Sequence, residues 1–352
     1  MMSASAPASL LGLATAVPDN VFETSLVMEE SRRIFADRLR DFERLAPIFV
    51  NTGIERRYSG RPLAWFQTDQ GWPERSAAYL DAALSLYRRV APAALAEAGI
   101  SAGDVDTIVT VSSTGIATPT LEARVMEELG FRSDVRRVPV FGLGCAGGVT
   151  GLAIGSRLAA AEPGTNVLVV VIELCTLAFR RDELTKANII ATALFGDGAA
   201  AVVLAAGNGR GDGAVELADE HTWPDTLDIM GWRMDPVGFG AIFQRSIPEF
   251  VMENLRRAAD AFLARHDLGL ADIAQFVFHP GGTKVVQALE TAFELPQGTL
   301  RREREVLADY GNMSAATVLF VLDRARREAV EGRRLLAALG PGFTASFLTM
   351  VT

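Results

Sequence analysis

One cysteine in this chain stands where a thiol could act as a nucleophile. Residues 140–156 read VFGLGCAGGVTGLAIGS, with an apolar run over 138–141 before Cys145 and apolar residues at Val149, Leu152, Ala153 and Leu158 after it. The first run predicts a strand and the second a helix, so Cys145 falls in the first turn of that helix. Unpaired backbone N–H groups and the positive end of the helix dipole favour a thiolate there, lowering the pKa toward neutral. Gly142, Gly144, Gly147 and Gly148 permit a sharp turn and a close approach of substrate to backbone. The stretch also suits an inert cysteine buried in a tight strand-to-helix turn, and by itself it does not choose.

Candidate partners for the thiol come from an internal repeat. A helix over 76–98, with Ala77, Leu80, Leu84, Tyr87, Ala91 and Ala94 three or four apart, precedes DVDTIVT at 104–110. A second helix, 248–265, precedes DIAQFVF at 272–278, an offset of 272 − 104 = 168. Gly311-Asn312 opens a helix as Gly144-Cys145 does, offset 167, and Gly332 precedes the strand 335–339 as Gly164 precedes the strand 167–174, offset 168. A near-constant offset predicts an α/β fold built from two copies of one unit, residues 1–206 and 207–352, divided in the glycine-rich turn GNGRGDG at 207–213. Cys145 and Asn312 then face each other from equivalent helix starts across a pseudo-twofold axis. His279, in FHPGG, ends the strand equivalent to the one at Val111, at the end of the sheet where ligands bind. A thiol, an imidazole and a carboxamide together can form an ion pair and hold a thioester carbonyl oxygen as charge develops on it. Taken singly, His279 also suits a hydrogen-bonded strand end and Asn312 a helix N-cap.

Composition narrows the class. The 352 residues bury a sizeable core, and 49% of them are hydrophobic. A net charge of −9 argues against a nucleic-acid or anionic-membrane surface. The basic clusters Arg301, Arg302, Arg304 and Arg324, Arg326, Arg327 alternate with acids, as on solvated helix faces. Two cysteines make no disulfide framework and fit a reducing, cytoplasmic setting. The N-terminus lacks the charged region of a secretory signal, and the longest apolar run, 167–172, is too short to span a bilayer.

Taken together, GLGCAGG around Cys145, LFGDGAAAVVL from Leu194, HPGG from His279, YGNMSAATVLF from Tyr310 and GPG at Gly340, Pro341 and Gly342 resemble the chalcone synthase-like, type III polyketide synthase family of the thiolase fold. The resemblance runs from about residue 54 to the end. It implies a five-layered αβαβα homodimer that uses coenzyme A thioesters directly, with no further cofactor, metal or carrier protein. Cys145 takes the starter acyl group. His279 keeps Cys145 as thiolate and, with Asn312, stabilises the enolate left when malonyl-CoA loses carbon dioxide.

The resemblance also assigns Phe195 to the gate between the CoA tunnel and the cavity, and Ala241 to the second gating position, where Phe239 and Phe243 are neighbours. Thr118 falls where a side chain reaches into the partner's cavity, and Ala178 on the cavity wall. Cys175 is either a cavity residue or an inert core thiol. Arg56 and Arg57 sit in the segment expected to meet CoA phosphates, beside Glu55 where plant enzymes have lysine. The family's GFGPG is reduced here to Ala338-Leu339-Gly340-Pro341-Gly342. Small residues at Thr118, Ala178 and Ala241 lead to the expectation of a long-chain fatty acyl-CoA starter and an alkylpyrone or alkylresorcinol product. If neighbouring bulk fills that space, a short or malonyl starter follows instead. Among rivals, a β-ketoacyl carrier-protein synthase III is disfavoured by the HPGG context of His279 and the acidic surface, a papain-like hydrolase by the residues flanking Cys145, and a non-catalytic acyl-CoA binder by the intact trio.

Overall fold

The computed structural model describes residues 6–207, 211–243, 247–328 and 330–352. Residues 208–210, within the expected dividing turn, and 244–246, just beyond the Ala241 segment, lie outside the described residues.

Nine strands form one continuous sheet: β1 (Ala8–Ala16), β2 (Thr107–Val111), β3 (Arg136–Val140), β4 (Asn166–Leu174), β5 (Asp197–Ala206), β6 (Ala214–Thr222), β7 (Ile273–Phe278), β8 (Arg333–Gly340) and β9 (Thr344–Val351), in the order β7-β8-β9-β6-β1-β5-β4-β2-β3. The helices that matter for the site are α1 (Thr24–Phe35), α2 (Trp72–Ala98), α3 (Leu121–Leu129), α4 (Gly147–Ala161), α5 (Lys186–Leu194), α6 (Arg256–Ala264), α7 (Thr283–Ala292), α8 (Arg301–Tyr310) and α9 (Thr317–Arg326).

Strand side chains alternate between faces, so a strand buried on both sides is apolar throughout. In β4, Val167, Val169 and Val171 face a central layer made with α4 and α9, while Leu168, Val170 and Ile172 pack under α2 and α3. In β8, Leu336 and Ala338 face the same central layer, whereas Leu335, Ala337 and Leu339 pack under α6 and α7. Five layers result: α2/α3, one half-sheet, α4/α9, the other half-sheet, and α6/α7. Each buried Val or Leu contributes roughly 1.5–3 kcal/mol, so the central layer anchors both halves.

The two half-sheets run in the same order, β3-β2-β4-β5-β1 and β7-β8-β9-β6, except that the second has no counterpart of β3. At that place in the chain the helix α8 stands instead. Among the described residues, β1 and β6 join the two half-sheets through the register pairs Ala8↔Val215 and Ser9↔Ala214.

Some elements depart from the sequence reading. Residues 24–51 form three helical pieces, α1 followed by Phe42–Leu45 and Pro47–Asn51; Pro47 restarts the chain at a first helical position, where its missing N–H costs nothing. Helix α2 begins at Trp72, because Glu74 reaches back to the Gly71 N–H at 3.0 Å and fixes the start one turn early.

Candidate active site

Cys145 lies in a 3-10 turn, Gly144–Ala146, that runs directly into α4. The turn requires glycine at its start. Gly144 has φ +47°, and a β-carbon there would sit 2.6 Å from Cδ of Pro341. Gly340 is as tightly placed, since a β-carbon on it would meet the Leu143 carbonyl oxygen at 2.3 Å. The Gly340-Pro341-Gly342 turn is therefore the bed on which the cysteine turn rests. Ser113 completes the support, its Oγ accepting the Gly144 N–H at 3.0 Å.

Asn312 is held by a backbone clasp. Its N–H donates to the Leu194 carbonyl at 2.8 Å, and the Gly196 N–H donates to its own carbonyl at 3.0 Å. The LFGDG and YGNMS segments thus dock on one another, and each explains the other. The carboxamide Oδ1 accepts the Ser314 N–H at 2.9 Å and lies 3.9 Å from Cys145 Sγ, while Nδ2 donates to the Gly281 carbonyl at 3.2 Å. Asn312 both caps a turn and faces the thiol.

The repeat aligns differently from the sequence reading at this point. The turn equivalent to Gly144–Ala146 is Ser314–Ala316, where Ser314 has φ +48°, and helix α9 begins at Thr317 as α4 begins at Gly147. The offset is 314 − 144 = 170, so Ala315 rather than Asn312 is the counterpart of Cys145. Asn312 reaches the thiol from two residues before the turn.

His279 follows β7, and its backbone N–H donates to the Ala337 carbonyl at 2.9 Å. Its side chain is buried, yet neither ring nitrogen has a hydrogen-bond partner. Burial lowers its pKa to about 3 and pushes the Cys145 thiol up to about 12, the nearby Ser314 hydroxyl opposing part of that rise. Desolvation thus works against both a thiolate at Cys145 and an imidazolium at His279, opposing the pull of the helix dipole.

Cys145, His279 and Asn312 line one cavity of about 630 Å³ with Met230, Phe243 and Leu339, a size suited to a small-molecule or cofactor arm. Arg44, Lys186 and Lys284 also line it. The sequence reading missed these three cations; the available signal was basic residues in a short helix before residue 54, at the start of α5 and just after HPGG. A further missed group is Glu173, fully buried beside the thiol, accepting the Ser113 N–H at 3.1 Å, with burial raising its pKa to about 8.

Several expected contacts fall elsewhere. Arg57 points inward: it is buried, and its guanidinium donates to the carbonyls of Thr192 and Ala193 at 2.8 and 2.9 Å and to Thr24 Oγ1 at 3.1 Å. It satisfies the carbonyls left open at the end of α5, which carries Phe195. Arg56 pairs on the surface with Asp309 at 2.7 Å. Phe195 and Cys175 line a separate apolar recess of about 70 Å³ with Phe22, Val27, Phe66 and Phe179. Burial raises the Cys175 pKa well above its usual value, as for an inert core thiol. Ala178 is buried and Thr118 is exposed; neither is on the wall of the cavity that holds Cys145. Ala241 pairs across a hairpin with Trp232, whose ring packs on Phe195 and whose Nε1 donates to the Ser113 carbonyl at 2.8 Å. Phe243 packs on the other side of Phe195. Aromatic bulk thus occupies the room that a small residue at 241 leaves.

Comparison with known sequences settles the family. The sequence model for chalcone and stilbene synthases, N-terminal domain, matches residues 1–208, and that for the C-terminal domain matches residues 214–351. The chain belongs to the chalcone and stilbene synthase family. It is 37% identical to a 1,3,6,8-tetrahydroxynaphthalene synthase of Streptomyces peucetius subsp. caesius, over 97% of this chain and 92% of that one. It is 35% identical to a "putative chalcone synthase" of Bacillus subtilis strain 168, over 97% and 98%. The crystal structure of the 1,3,6,8-tetrahydroxynaphthalene synthase of Streptomyces coelicolor A3(2), a bacterial type III polyketide synthase, superposes with a TM-score of 0.92 at 30% identity, covering 97% of this chain and 99% of that one. This synthase is accordingly an acyltransferase-type condensing enzyme of the type III polyketide synthase kind, with the thiolase-like fold. Among its described residues, no helix is long and apolar enough to cross a membrane.

Proposed function

We propose that this synthase condenses malonyl-CoA iteratively onto a short acyl or malonyl starter held on Cys145. The observation that carries the proposal is the cavity itself: thiol, unpartnered imidazole and carboxamide in one lining, with the cationic side chains of Arg44, Lys186 and Lys284 bordering the same space for the phosphates of a CoA thioester. Cys145 attacks the starter thioester, its proton passing to His279, and CoA leaves taking that proton. Malonyl-CoA then loses its carboxylate as carbon dioxide. The electron pair released becomes an enolate, whose oxygen accepts a His279 ring N–H and the second Nδ2 hydrogen of Asn312. The enolate carbon attacks the Cys145 thioester, the new C–C bond replaces C–S, and the sulfur leaves as thiolate. A neutral imidazole suits the decarboxylation, since it donates a hydrogen bond without being an acid that quenches the carbanion.

The starter follows from the aromatic packing. Trp232, Phe195 and Phe243 fill the region beside Ala241, which supports a small starter over the long acyl chain expected from Ala241 alone. The named product of two relatives supports it too: tetrahydroxynaphthalene bears oxygen at alternate ring positions, so malonyl-derived two-carbon units can supply its whole skeleton. A long-chain starter leading to an alkylpyrone or alkylresorcinol is the second reading, favoured by the apolar recess beyond Phe195. Incubation with malonyl-CoA and starters from acetyl to stearoyl, without carrier protein, distinguishes them by product mass. The expected result is product from malonyl-CoA alone or with short starters, longer starters accepted by Trp232→Ala, and no acyl-enzyme or product with Cys145→Ala. Efficient stearoyl extension by the unaltered enzyme overturns the small-starter reading, and turnover only on carrier-bound malonate overturns the type III assignment of substrate.

We also propose a homodimer across β3. That strand is the edge of the sheet, and exposed Ile116 and Phe141 stand near it, with Thr118 on the same loop as Ile116. The residues 1–206 and 207–352 form the two repeated halves in this reading, and the unpaired cysteines suit a reducing compartment. Light scattering tests the dimer directly.

A further inference from the structure

The half-sheet that carries His279 lacks a strand, and the structure shows what replaces it. In the complete half, the inner edge of β2 faces β4 and its outer edge faces β3, the Ser112 N–H donating to the Val140 carbonyl at 3.1 Å. Alternation along a strand sends the Thr110 N–H to the same outer edge. The counterpart of Thr110 at the offset of 168 is Phe278, on β7, where no outer strand exists. Its N–H is not left orphaned. Glu303, in the first turn of α8, lies fully buried and accepts it through Oε1 at 3.0 Å.

Glu303 has no cation of its own. Its neighbours Arg302 and Arg304 are engaged with Glu328 and Glu290, and its Oε2 has no partner. A buried carboxyl without an ion pair is expensive to keep, so its hydrogen bond to the backbone next to the imidazole is the reason to look for a role there. The imidazole of His279 makes no hydrogen bond through either nitrogen. Nothing polar orients the ring, and its position is inherited from the main chain. That main chain has two anchors: the His279 N–H on the Ala337 carbonyl, and the Phe278 N–H on Glu303.

We propose that Glu303 is a positioning residue for the decarboxylative condensation: its side-chain oxygen takes the place of the missing strand's carbonyl, pins the backbone at Phe278 and thereby aims the His279 imidazole at the enolate oxygen. This rests on the role given to His279 above. A shift of about 1 Å in a group that must meet a developing oxyanion lowers a rate by up to roughly 100-fold. The carboxyl's ability to accept, not its charge, is what the role requires.

The test compares Glu303→Gln, which keeps an acceptor of the same reach, with Glu303→Ala, using His279→Ala as reference. Glu303→Ala is expected to slow malonyl-CoA decarboxylation about ten-fold or more, with KM changed less than about three-fold, and Glu303→Gln to stay within about three-fold of the parent. The chain has three histidines, so the ring nitrogen resonances of His279 can be assigned by their loss in His279→Ala; they should move in Glu303→Ala and hold in Glu303→Gln. If His279→Ala decarboxylates normally, the reading of His279 fails. If His279→Ala is impaired but Glu303→Ala is not, or if Gln is as damaging as Ala, the positioning role is overturned.

Discussion

Gly144 and Ser314 begin the same turn, at φ +47° and +48°, one in each half of the repeat. One turn carries Gly-Cys-Ala and presents a thiol to the cavity; the other carries Ser-Ala-Ala and presents nothing reactive. The duplicated backbone has been put to two uses. In the first half the turn is the site, bedded on Pro341. In the second half the turn is a support, and the working groups sit just outside it, Asn312 two residues upstream and His279 at the end of an incomplete half-sheet. Repetition of fold therefore gives a frame that brings both halves to one cavity, and the chemistry comes from where the halves differ.

The comparison can be broken most sharply at Gly144. A left-handed backbone costs a residue with a β-carbon about 1–2 kcal/mol, and overlap with Pro341 adds about 1–3 kcal/mol. Gly144→Ala should therefore lower stability by about 3 kcal/mol in denaturant titration and reduce Cys145 acylation far more than the stability loss alone explains. If acylation survives, the turn is not the site's support.

Next in size is the imidazole. His279 has a folded pKa of about 3, below the 6.5 of the free side chain. Its contribution to stability is complete above pH 6.5 and is lost as the pH falls toward 3, because the unfolded chain takes up the proton first. At pH 5 the loss is about 2 kcal/mol. His279→Gln should accordingly lose less stability than the parent between pH 7 and pH 5 in thermal melts at matched ionic strength; parallel curves for the two proteins contradict the buried, neutral imidazole.

The smallest effect belongs to the supporting turn. Ser314→Gly removes the left-handed strain, worth about 1 kcal/mol, and also removes the hydroxyl that opposes the rise in the Cys145 pKa. The variant should be as stable as the parent or slightly more so, while the pH midpoint of Cys145 alkylation moves upward. A midpoint that stays put places the hydroxyl outside the thiol's environment.

Much of this was legible in the sequence, for identifiable reasons. Strands β4 and β5 are buried on both faces, so their apolar runs stand out, and the glycines about Cys145 mark a tight turn, with no room for a β-carbon at Gly144 beside Pro341. His279 and Asn312 could be paired with Cys145 because their motifs are long and ordered along the chain. The repeat itself was visible, but its register at Asn312 was off by three residues, since Gly311-Asn312 imitates Gly144-Cys145 while the true counterpart, Ser314, carries the left-handed backbone on a residue that does not advertise it. Arg57 misled because arginine reads as a surface cation, whereas here it closes the end of α5. Trp232 was overlooked because only the fold places it across the hairpin from Ala241. The upward push of burial on the Cys145 thiol was not legible for a related reason: a helix start is visible in sequence, but the depth at which it is buried is not.

The clasp between residues 194–196 and Asn312 ties together two stretches drawn from opposite ends of the repeat. Neither half alone contains a finished site, because the carboxamide is fastened by carbonyl and amide groups that belong to the other copy. A gene bisected near residue 207 should yield two silent polypeptides, and polyketide synthesis should return only when both are produced together and reassemble.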